Sequence, residues 1–472
     1  MEAVRHIHLI GICGAAMASL AGMLRDRGFE VTGSDSGTYP PMSDFLDRLQ
    51  IHYATGFSPE NLRPRPDLVV VGNAISRGNV ELEYVLDERI AYRSLPQVVA
   101  EHFLAGKQSL VVAGTHGKTT TAALLAWIFQ VGGRKPNFLI GGIGENVGSS
   151  YGLGGGPDFI IEGDEYDSAY FDKSAKFFHY RPDGVILTSV EYDHADIYAD
   201  LDAVKLAFKR LVNLVPSRGW IVAWGEGEAV RECTAKAFCP VIAYGLKKSS
   251  GSRWVVQGLK HSPGGMSFDA ENDKGGRVRC ETSLSGECNA LNVLAATAAG
   301  VESGIEREVI EEAVRTFRSV RRRMEVKGEV AGVTVIDDFA HHPTAIRATL
   351  EGITAKYPGR RIWALFEPRS NTLRRRVFES VLPEALSLAD CILIAPVNRP
   401  HLLSDAERLS PESVAVALVK QGKTAAAMPD VETIVRRVAT EARRGDVVVA
   451  LSNGGFENLP DRILERLRER KA

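Results

Sequence analysis

The sequence predicts an α/β protein of three successive units, each built on a mainly parallel sheet, and three observations carry that prediction. The chain has 472 residues, which at roughly 150 residues per domain suits about three domains. Short apolar runs alternate with amphipathic stretches in three separate series, the rhythm of βαβ units. The apolar runs end in clusters of Gly, Asp, Glu and His. In open parallel sheets, ligands sit beyond the carboxyl ends of the strands, so these clusters are where chemistry is expected.

Composition narrows the function classes. Hydrophobic residues at 44% and charged residues at 25% match globular usage and exclude a disordered or fibrous chain. The net charge of −2 leaves no global positive field, so neither nucleic acid nor an anionic membrane is an expected partner, and any anion must be held by local devices. Six cysteines form no C-x-x-C pair, and with no disulfide framework the expected home is the reducing cytoplasm. No apolar run reaches about 18 residues, and the stretch from Ile7 to Leu24 is broken by Gly11, Gly14 and Gly22. Glycine is plentiful at 45 residues, which directs attention to loops where backbone must approach a ligand.

The first unit, residues 1–106, opens with the strand HIHLI, a Gly-rich turn and helix, then FEVTGSD and DLVVVGNAIS. Gly11, Gly14 and the later Asp35 resemble the dinucleotide fingerprint G-x-G-x-x-G, but Cys13 and Ala16 stand where glycine is expected. The broader expectation is a turn that cradles some phosphorylated ligand, with nicotinamide binding as the alternative. His6, His8, His52 and the cysteines are expected to be structural.

The second unit, residues 107–320, begins with the most specific motif. Gly114, Thr115, His116, Gly117, Lys118, Thr119 and Thr120 follow the strand LVVA and open the helix TAALLAWIF. Glycines let backbone N–H groups wrap phosphate, Lys118 can reach β/γ oxygens, and Thr119 can ligate Mg²⁺. Val112 replaces the first glycine of the longer G-x-x-x-x-G-K-[ST] pattern, so this is a shorter variant. Glu162, Asp164, Glu165 and Asp167 end the next apolar run, and Glu191, Asp193 and His194 end another; both are sited to hold metal or orient substrate. Residues 219–285 are weakly periodic and suggest antiparallel strands and loops attached to the central sheet.

The third unit, residues 321–472, follows the basic run SVRRRMEVKGE, in which Arg321, Arg322 and Arg323 are either a solvated linker face or a closure onto phosphate. Asp337, Asp338, His341 and His342 gather at one strand end, as a metal site or a nucleotide-contacting loop. Glu367, Arg369 and Asn371 lie in FEPRSNT, after the strand RIWALF. Arg369 suits bidentate recognition of a carboxylate and Glu367 an ammonium; a helix start capped by Asn371 or Thr372 is the alternative. Taken alone, the phosphate loop also fits a nucleotide-dependent switch or binding protein.

With GTHGKTT, IIEGDEYD, EYDHADIY, GECNALN and DDFAHHPT following the Gly-rich N-terminus in that order, the chain resembles the Mur ligases over essentially its whole length. These are ATP-dependent, amide-forming enzymes of bacterial cell-wall synthesis. YPPMS at 39–43, GNAISRGN at 72–79, FDKSAKF at 171–177 and above all FEPRSNT at 366–372 look like the branch that takes a peptide acceptor. The branch that adds L-alanine shares the N-terminal domain type and is the alternative.

The resemblance implies a Rossmann-like UDP-sugar domain, a central ATP domain and an acceptor-binding domain. Its implied reaction joins L-alanyl-γ-D-glutamyl-meso-diaminopimelate to UDP-N-acetylmuramate at the expense of ATP with Mg²⁺, in peptidoglycan recycling, by a monomer or weak homodimer. Carried over by position, Lys118, Glu162 and His194 form the catalytic set, with Thr119, Glu162 and His194 on the metal. Asn289, Asn292, Arg322, Asp337 and His341 join the phosphate loop around ATP. Gly11, Gly14, Asp35, Asn73 and Ser76 line the UDP-sugar site, and Glu367, Arg369 and Asn371 the acceptor site. Some relatives carbamylate a lysine downstream of the metal histidine; Lys209 lies near that region, and no carbamylation is expected here.

Overall fold

The computed structural model describes residues 4–39, 42–248 and 251–470. Pro40 and Pro41 of the YPPMS segment lie outside the described residues. Three sheets follow one another along the chain.

The first sheet has five parallel strands, in the spatial order His52–Thr55, Glu30–Asp35, His6–Ile10, Leu68–Val71, Tyr92–Ser94. His6–Ile10 and Leu68–Val71 are buried along their whole length, as apolar strands covered on both faces must be. The chain winds one way from the first strand and then the other, so the Gly11 turn leaves the sheet at its switch point. His6 and His8 are buried here and share Thr32 Oγ1 at 2.8 and 2.9 Å, a structural role.

The central sheet has ten strands. Its parallel middle places Gln108–Ala113 between Gly184–Leu187 and Asp158–Gly163, with Ala113 level with Leu187 and Gly163. All three strands therefore release their polar ends at one height. Helix Lys118–Val131 is apolar nearly all round because it is covered by the sheet and by helices Glu287–Glu302 and Arg307–Thr316. Residues 219–285 depart from the expectation. Trp220–Trp224 and Val241–Gly245 extend the parallel sheet, and only Ser252–Ser262, Gly265–Asn272 and Arg277–Thr282 form an antiparallel meander. The connecting helix Glu228–Thr234 has 7 residues, too few to display a helical period.

The third sheet has six strands, all parallel except the edge strand Glu325–Val330, which pairs antiparallel with Val333–Asp338. No helix among the described residues is long and apolar enough to cross a membrane.

The first and central units share one continuous apolar core and, beside it, a tight polar contact. Tyr151 donates to Asp26 at 3.0 Å, and the Ser19 and Ser150 hydroxyls meet at 2.7 Å. Gly22 makes this approach possible, because a Cβ there would lie 2.5 Å from the Tyr151 oxygen. Gly22→Ala is therefore expected to destabilise the protein by about 1–3 kcal/mol through overpacking. Thermal unfolding checks this, with an unchanged melting temperature as the contrary result.

Candidate active site between the central and C-terminal units

Gly117 takes φ 80°, and a side chain there would collide with Asn292, its Cβ only 2.3 Å from Oδ1. Glycine is thus required both by backbone conformation and by the close approach of helix Glu287–Glu302. The loop is pinned from the neighbouring strand end: Thr115 N donates to Ser189 O at 3.0 Å, and His116 N to Ser189 Oγ at 2.9 Å.

Lys118 folds back over the loop. Its Nζ donates to Gly114 O at 2.6 Å and to Glu165 at 2.8 Å, with Glu165 itself 2% exposed. Burial pushes the Lys118 ammonium down, but Glu165, Asp164 and Glu162 outweigh it and hold its pKa above the ordinary lysine value. Burial likewise pushes Glu165 up, and Lys118 and His194 hold it below the usual carboxylate range. Tyr198 fixes this segment by donating to Glu165 O at 2.7 Å.

His194 completes the cluster, its Nε2 3.5 Å from Glu165 and its ring edge-on to Tyr166. Burial lowers its pKa, while Glu165 and Asp193 raise it beyond that loss, so the imidazole is biased toward the charged form. The residue sits at φ 56°, a left-handed conformation that costs a non-glycine residue about 1–2 kcal/mol. Its own N–H donates to Asp193 Oδ1 at 2.7 Å, which helps hold the turn.

The residues present fit a hard divalent cation. Thr119 Oγ1 donates to Glu162 Oε1 at 3.1 Å, and Glu162 Oε2 accepts from Gly141 N at 2.8 Å, which orients the carboxylate beside the loop hydroxyl. Asp164, Glu165 and His194 present a second set of ligand atoms within 4.8 Å of one another. Oxygen donors next to a phosphate loop suit Mg²⁺. Thr120 is buried at the start of the helix.

The third unit closes directly onto this cluster. Thr372 donates to Asp193 Oδ1 at 3.0 Å and accepts from Ala195 N at 3.2 Å, while Asn371 donates to Asp196 at 2.8 Å. Thr344 donates to Glu191 at 2.6 Å, and Arg323 reaches Thr119 Oγ1 at 3.3 Å. A cavity of about 340 Å³ remains between the units, lined among others by Asp193, His194, His341, Arg369 and Arg399. Burial holds His341 and His342 down to about 4, so both are neutral at pH 7.

Arg369 packs directly against Gly454, where any Cβ would fall 1.9 Å from Nε, and meets Glu367 at 3.4 Å. Glu367 is buried and accepts from the Ser452 hydroxyl, so it orients Arg369. Residues 370–374 form a turn with Leu373 N bonded to Ser370 Oγ at 3.1 Å; neither Asn371 nor Thr372 caps a helix.

Arg322 turns inward. It pairs with Asp337 at 3.0 Å and donates to Ser452 O and Gly454 O at 2.7 and 2.6 Å, within its own unit. The guanidinium that spans to the phosphate loop belongs to Arg323. Asn289 donates to Ser285 O at 2.9 Å and accepts from Asn292 at 3.2 Å, so the pair braces the helix start behind Gly117. Lys209 is exposed on helix Leu201–Leu214, with no contact to the cluster.

The N-terminal candidates also gather. Asp35 accepts from Cys13 N and Gly37 N, both at 2.9 Å, and shapes the turn after the first strand. Gly14 caps helix Ala15–Asp26, and a Cβ on Gly11 would touch Ile75, so the loop bearing Asn73 and Ser76 lies alongside.

Of the residues expected from the sequence, Glu162 contacts Thr119, whereas Glu165 takes Lys118, and Arg323 rather than Arg322 reaches Thr119. The signal for Glu165 was its burial in an otherwise acidic run, which residue type alone does not reveal. Two substitutions separate the arginines. Arg323→Ala is expected to lower turnover about 10²-fold, as for loss of one donor to developing charge, with the melting temperature unchanged. Arg322→Ala is expected to lower stability by about 1–3 kcal/mol, because Asp337 and two carbonyls lose their donor. Steady-state kinetics and thermal unfolding read the two effects, and the reverse pattern would exchange the roles.

Family models match along the chain in order: "Mur ligase family, catalytic domain" at 6–107, "Mur ligase middle domain" at 112–300 and "Mur ligase, glutamate ligase domain" at 322–454. The UDP-N-acetylmuramate–L-alanyl-gamma-D-glutamyl-meso-2,6-diaminoheptandioate ligase of Escherichia coli is 40% identical over 98% of both chains. A UDP-N-acetylmuramate–L-alanine ligase of Syntrophomonas wolfei is 32% identical over 98% of this chain and 97% of that one. The crystal structure of a murein peptide ligase from Psychrobacter arcticus superposes with a TM-score of 0.76, at 36% identity and 98% coverage of each chain. With its phosphate loop, its carboxylate–histidine cluster and its closing third unit, the chain belongs to the Mur ligase family and is an ATP-dependent, amide-forming ligase.

Proposed function

We propose that this ligase joins L-alanyl-γ-D-glutamyl-meso-diaminopimelate to UDP-N-acetylmuramate, in the cytoplasm, as a step of peptidoglycan recycling. The observation that carries the reading is the cavity between the units. Its central wall bears His194, next to Lys118 and Glu165, and its facing wall bears Arg369, a fixed cation suited to an acceptor carboxylate. The 40% identity to the tripeptide-adding ligase supports it over the L-alanine reading, whose relative is 32% identical.

The chemistry follows from leaving groups. A carboxylate does not acylate an amine at neutral pH because hydroxide leaves poorly. The muramoyl carboxylate therefore attacks the γ-phosphorus of ATP, expelling ADP and forming an acyl phosphate. The unprotonated acceptor amine then attacks the acyl carbon, phosphate departs with the bonding pair, and the proton released from the amine nitrogen leaves with it as hydrogen phosphate.

In this reading Lys118 and the loop N–H groups of Gly114–Thr120 hold the β/γ oxygens, and Arg323 adds charge from the closing unit. Thr119 and Glu162, with His194, would hold Mg²⁺, which when bound neutralises phosphoryl charge. Asn289 and Asn292 brace the nucleotide side. The Gly11 turn with Gly14, Asp35, Asn73 and Ser76 takes the UDP-sugar, while Glu367 and Asn371 position Arg369 and the loop around the acceptor. Closure excludes water, which protects the acyl phosphate from hydrolysis.

Phosphate release from ATP is expected only when UDP-N-acetylmuramate and a peptide acceptor are both present. Tripeptide should exceed free L-alanine in kcat/KM. A preference for L-alanine would assign the chain to that branch, and hydrolysis indifferent to UDP-sugar would make it a nucleotide switch. Arg369→Ala is expected to raise KM for the peptide about tenfold or more, as for loss of a charge-assisted pair, leaving UDP-sugar affinity unchanged. The opposite pattern would move Arg369 off the acceptor.

A further inference from the structure

A second set of ligand-type side chains lies where the central and C-terminal units meet, apart from Glu162 and His194. His116 Nε2 is 3.4 Å from Glu191 Oε2, and His342 Nδ1 is 3.9 Å from the same oxygen. The three ligand atoms all fall within 4.8 Å of one another. Bonds of about 2.0–2.1 Å at tetrahedral angles put donor atoms roughly 3.3–3.5 Å apart. The His116–Glu191 spacing already meets that, the Glu191–His342 edge at 3.9 Å needs a small contraction, and the His116–His342 edge, within 4.8 Å, closes by rotation of the two rings.

Three features point to a ligand rather than to a hydrogen-bonded latch. His116 Nε2 is buried without a hydrogen-bond partner, close to the carboxylate but not aligned with it. Such an orphan polar atom inside an interface is costly unless something occupies it. The surroundings also aim the donors. Tyr192 O lies 3.2 Å from His342 Nε2, which assigns the proton there and leaves the Nδ1 lone pair turned toward Glu191. Thr344 donates to Glu191 Oε2 at 2.6 Å from the third unit, while Glu191 N donates to Thr115 Oγ1 at 2.8 Å and fixes the backbone that carries the carboxylate. The competing contact is Thr344 N, 3.3 Å from His342 Nδ1, a long hydrogen bond that a metal would replace.

We infer that His116, Glu191 and His342 form a zinc site that is complete only when the C-terminal unit is closed on the phosphate loop. Two imidazoles and one carboxylate suit Zn²⁺ rather than Mg²⁺, and three protein ligands leave a fourth position for water. His116 and Glu191 belong to the central unit and His342 to the third, so the bound ion staples the closed arrangement. The assignment does not depend on which acceptor the ligase uses.

The full-length protein, stripped with a chelator, should be titrated with Zn²⁺ by calorimetry in excess Mg²⁺, and with Co²⁺ by visible absorption. One saturable zinc equivalent with Co²⁺ bands of low-coordinate geometry is expected. His342→Asn keeps a capping side chain at the start of helix Pro343–Lys356, so it should fold, and should weaken zinc by about tenfold or more, the scale of losing metal-site groups. Glu191→Gln should do the same and serves if the first variant is unstable. His194→Asn should leave this zinc affinity intact. The inference is overturned by absence of saturable binding, by unchanged affinity in both His342→Asn and Glu191→Gln, or by a loss confined to His194→Asn.

Discussion

The site depends on one buried ammonium. Taking Lys118 out of water costs several kcal/mol unless its charge is matched, and the match comes from Glu165 at 2.8 Å. That pairing dictates the strand order around it. Asp158–Gly163 runs beside Gln108–Ala113 with Gly163 level with Ala113, so Glu165 emerges two residues later against the loop that carries Lys118. His194 arrives from the strand on the other side, Gly184–Leu187, and shares the same carboxylate. The ammonium is thus held over the loop by Gly114 O and Glu165 together, with its charge matched before any ligand arrives.

The hinge between the last two units divides its work among three consecutive arginines. Arg321 N donates to Ile143 O at 3.0 Å, which ties the linker to the central sheet. Arg322 sends its side chain into the third unit, and its carbonyl accepts from Phe339 N at 2.8 Å. Arg323 points back across the gap to Thr119, and both guanidiniums lie over the Phe339 ring, at 5.4 and 5.0 Å. Arg322 and Met324 take left-handed backbone, at φ 60° and 50°, so the chain reverses sharply between the two attachments. The basic run, which from sequence reads either as a solvated face or as a closure onto phosphate, is here a pivot in which the Arg322 and Arg323 charges take separate partners.

The fold was legible in the sequence because burial on both faces makes parallel strands near-continuous apolar runs, and HIHLI, SLVVA and DVVVAL all have that form. Residues 219–285 were not, because short helices and two-sided strands mix their periods. Within the site, residue types were readable but partners were not. GDEYD offers three carboxylates in four residues, and which one turns toward Lys118 is decided by the bend after Gly163. Likewise RRR has no internal asymmetry; the split comes from left-handed backbone at Arg322, which residue type does not announce. The run GLGGG at 152–156 owes glycines to backbone contact rather than to a ligand. Cβ atoms on Gly154 and Gly156 would lie 2.4 and 2.0 Å from the carbonyls of Lys135 and Arg134, so the second half of that run is set by two backbone segments in contact.

One turn links Arg322 to the Arg369 wall of the cavity. The carbonyls of Ser452 and Gly454 accept from Arg322, so they report the position of the hinge. The Ser452 hydroxyl holds Glu367, and Arg369 packs directly against Gly454. Arg322, this turn and Arg369 therefore form one connected block within the third unit. The guanidinium that reaches the phosphate loop is covalently next to the one that holds this turn. Arg323 and Arg369 are consequently carried by the same block, so the seating of the third unit on the central unit sets both the contact to Thr119 and the Arg369 wall of the cavity.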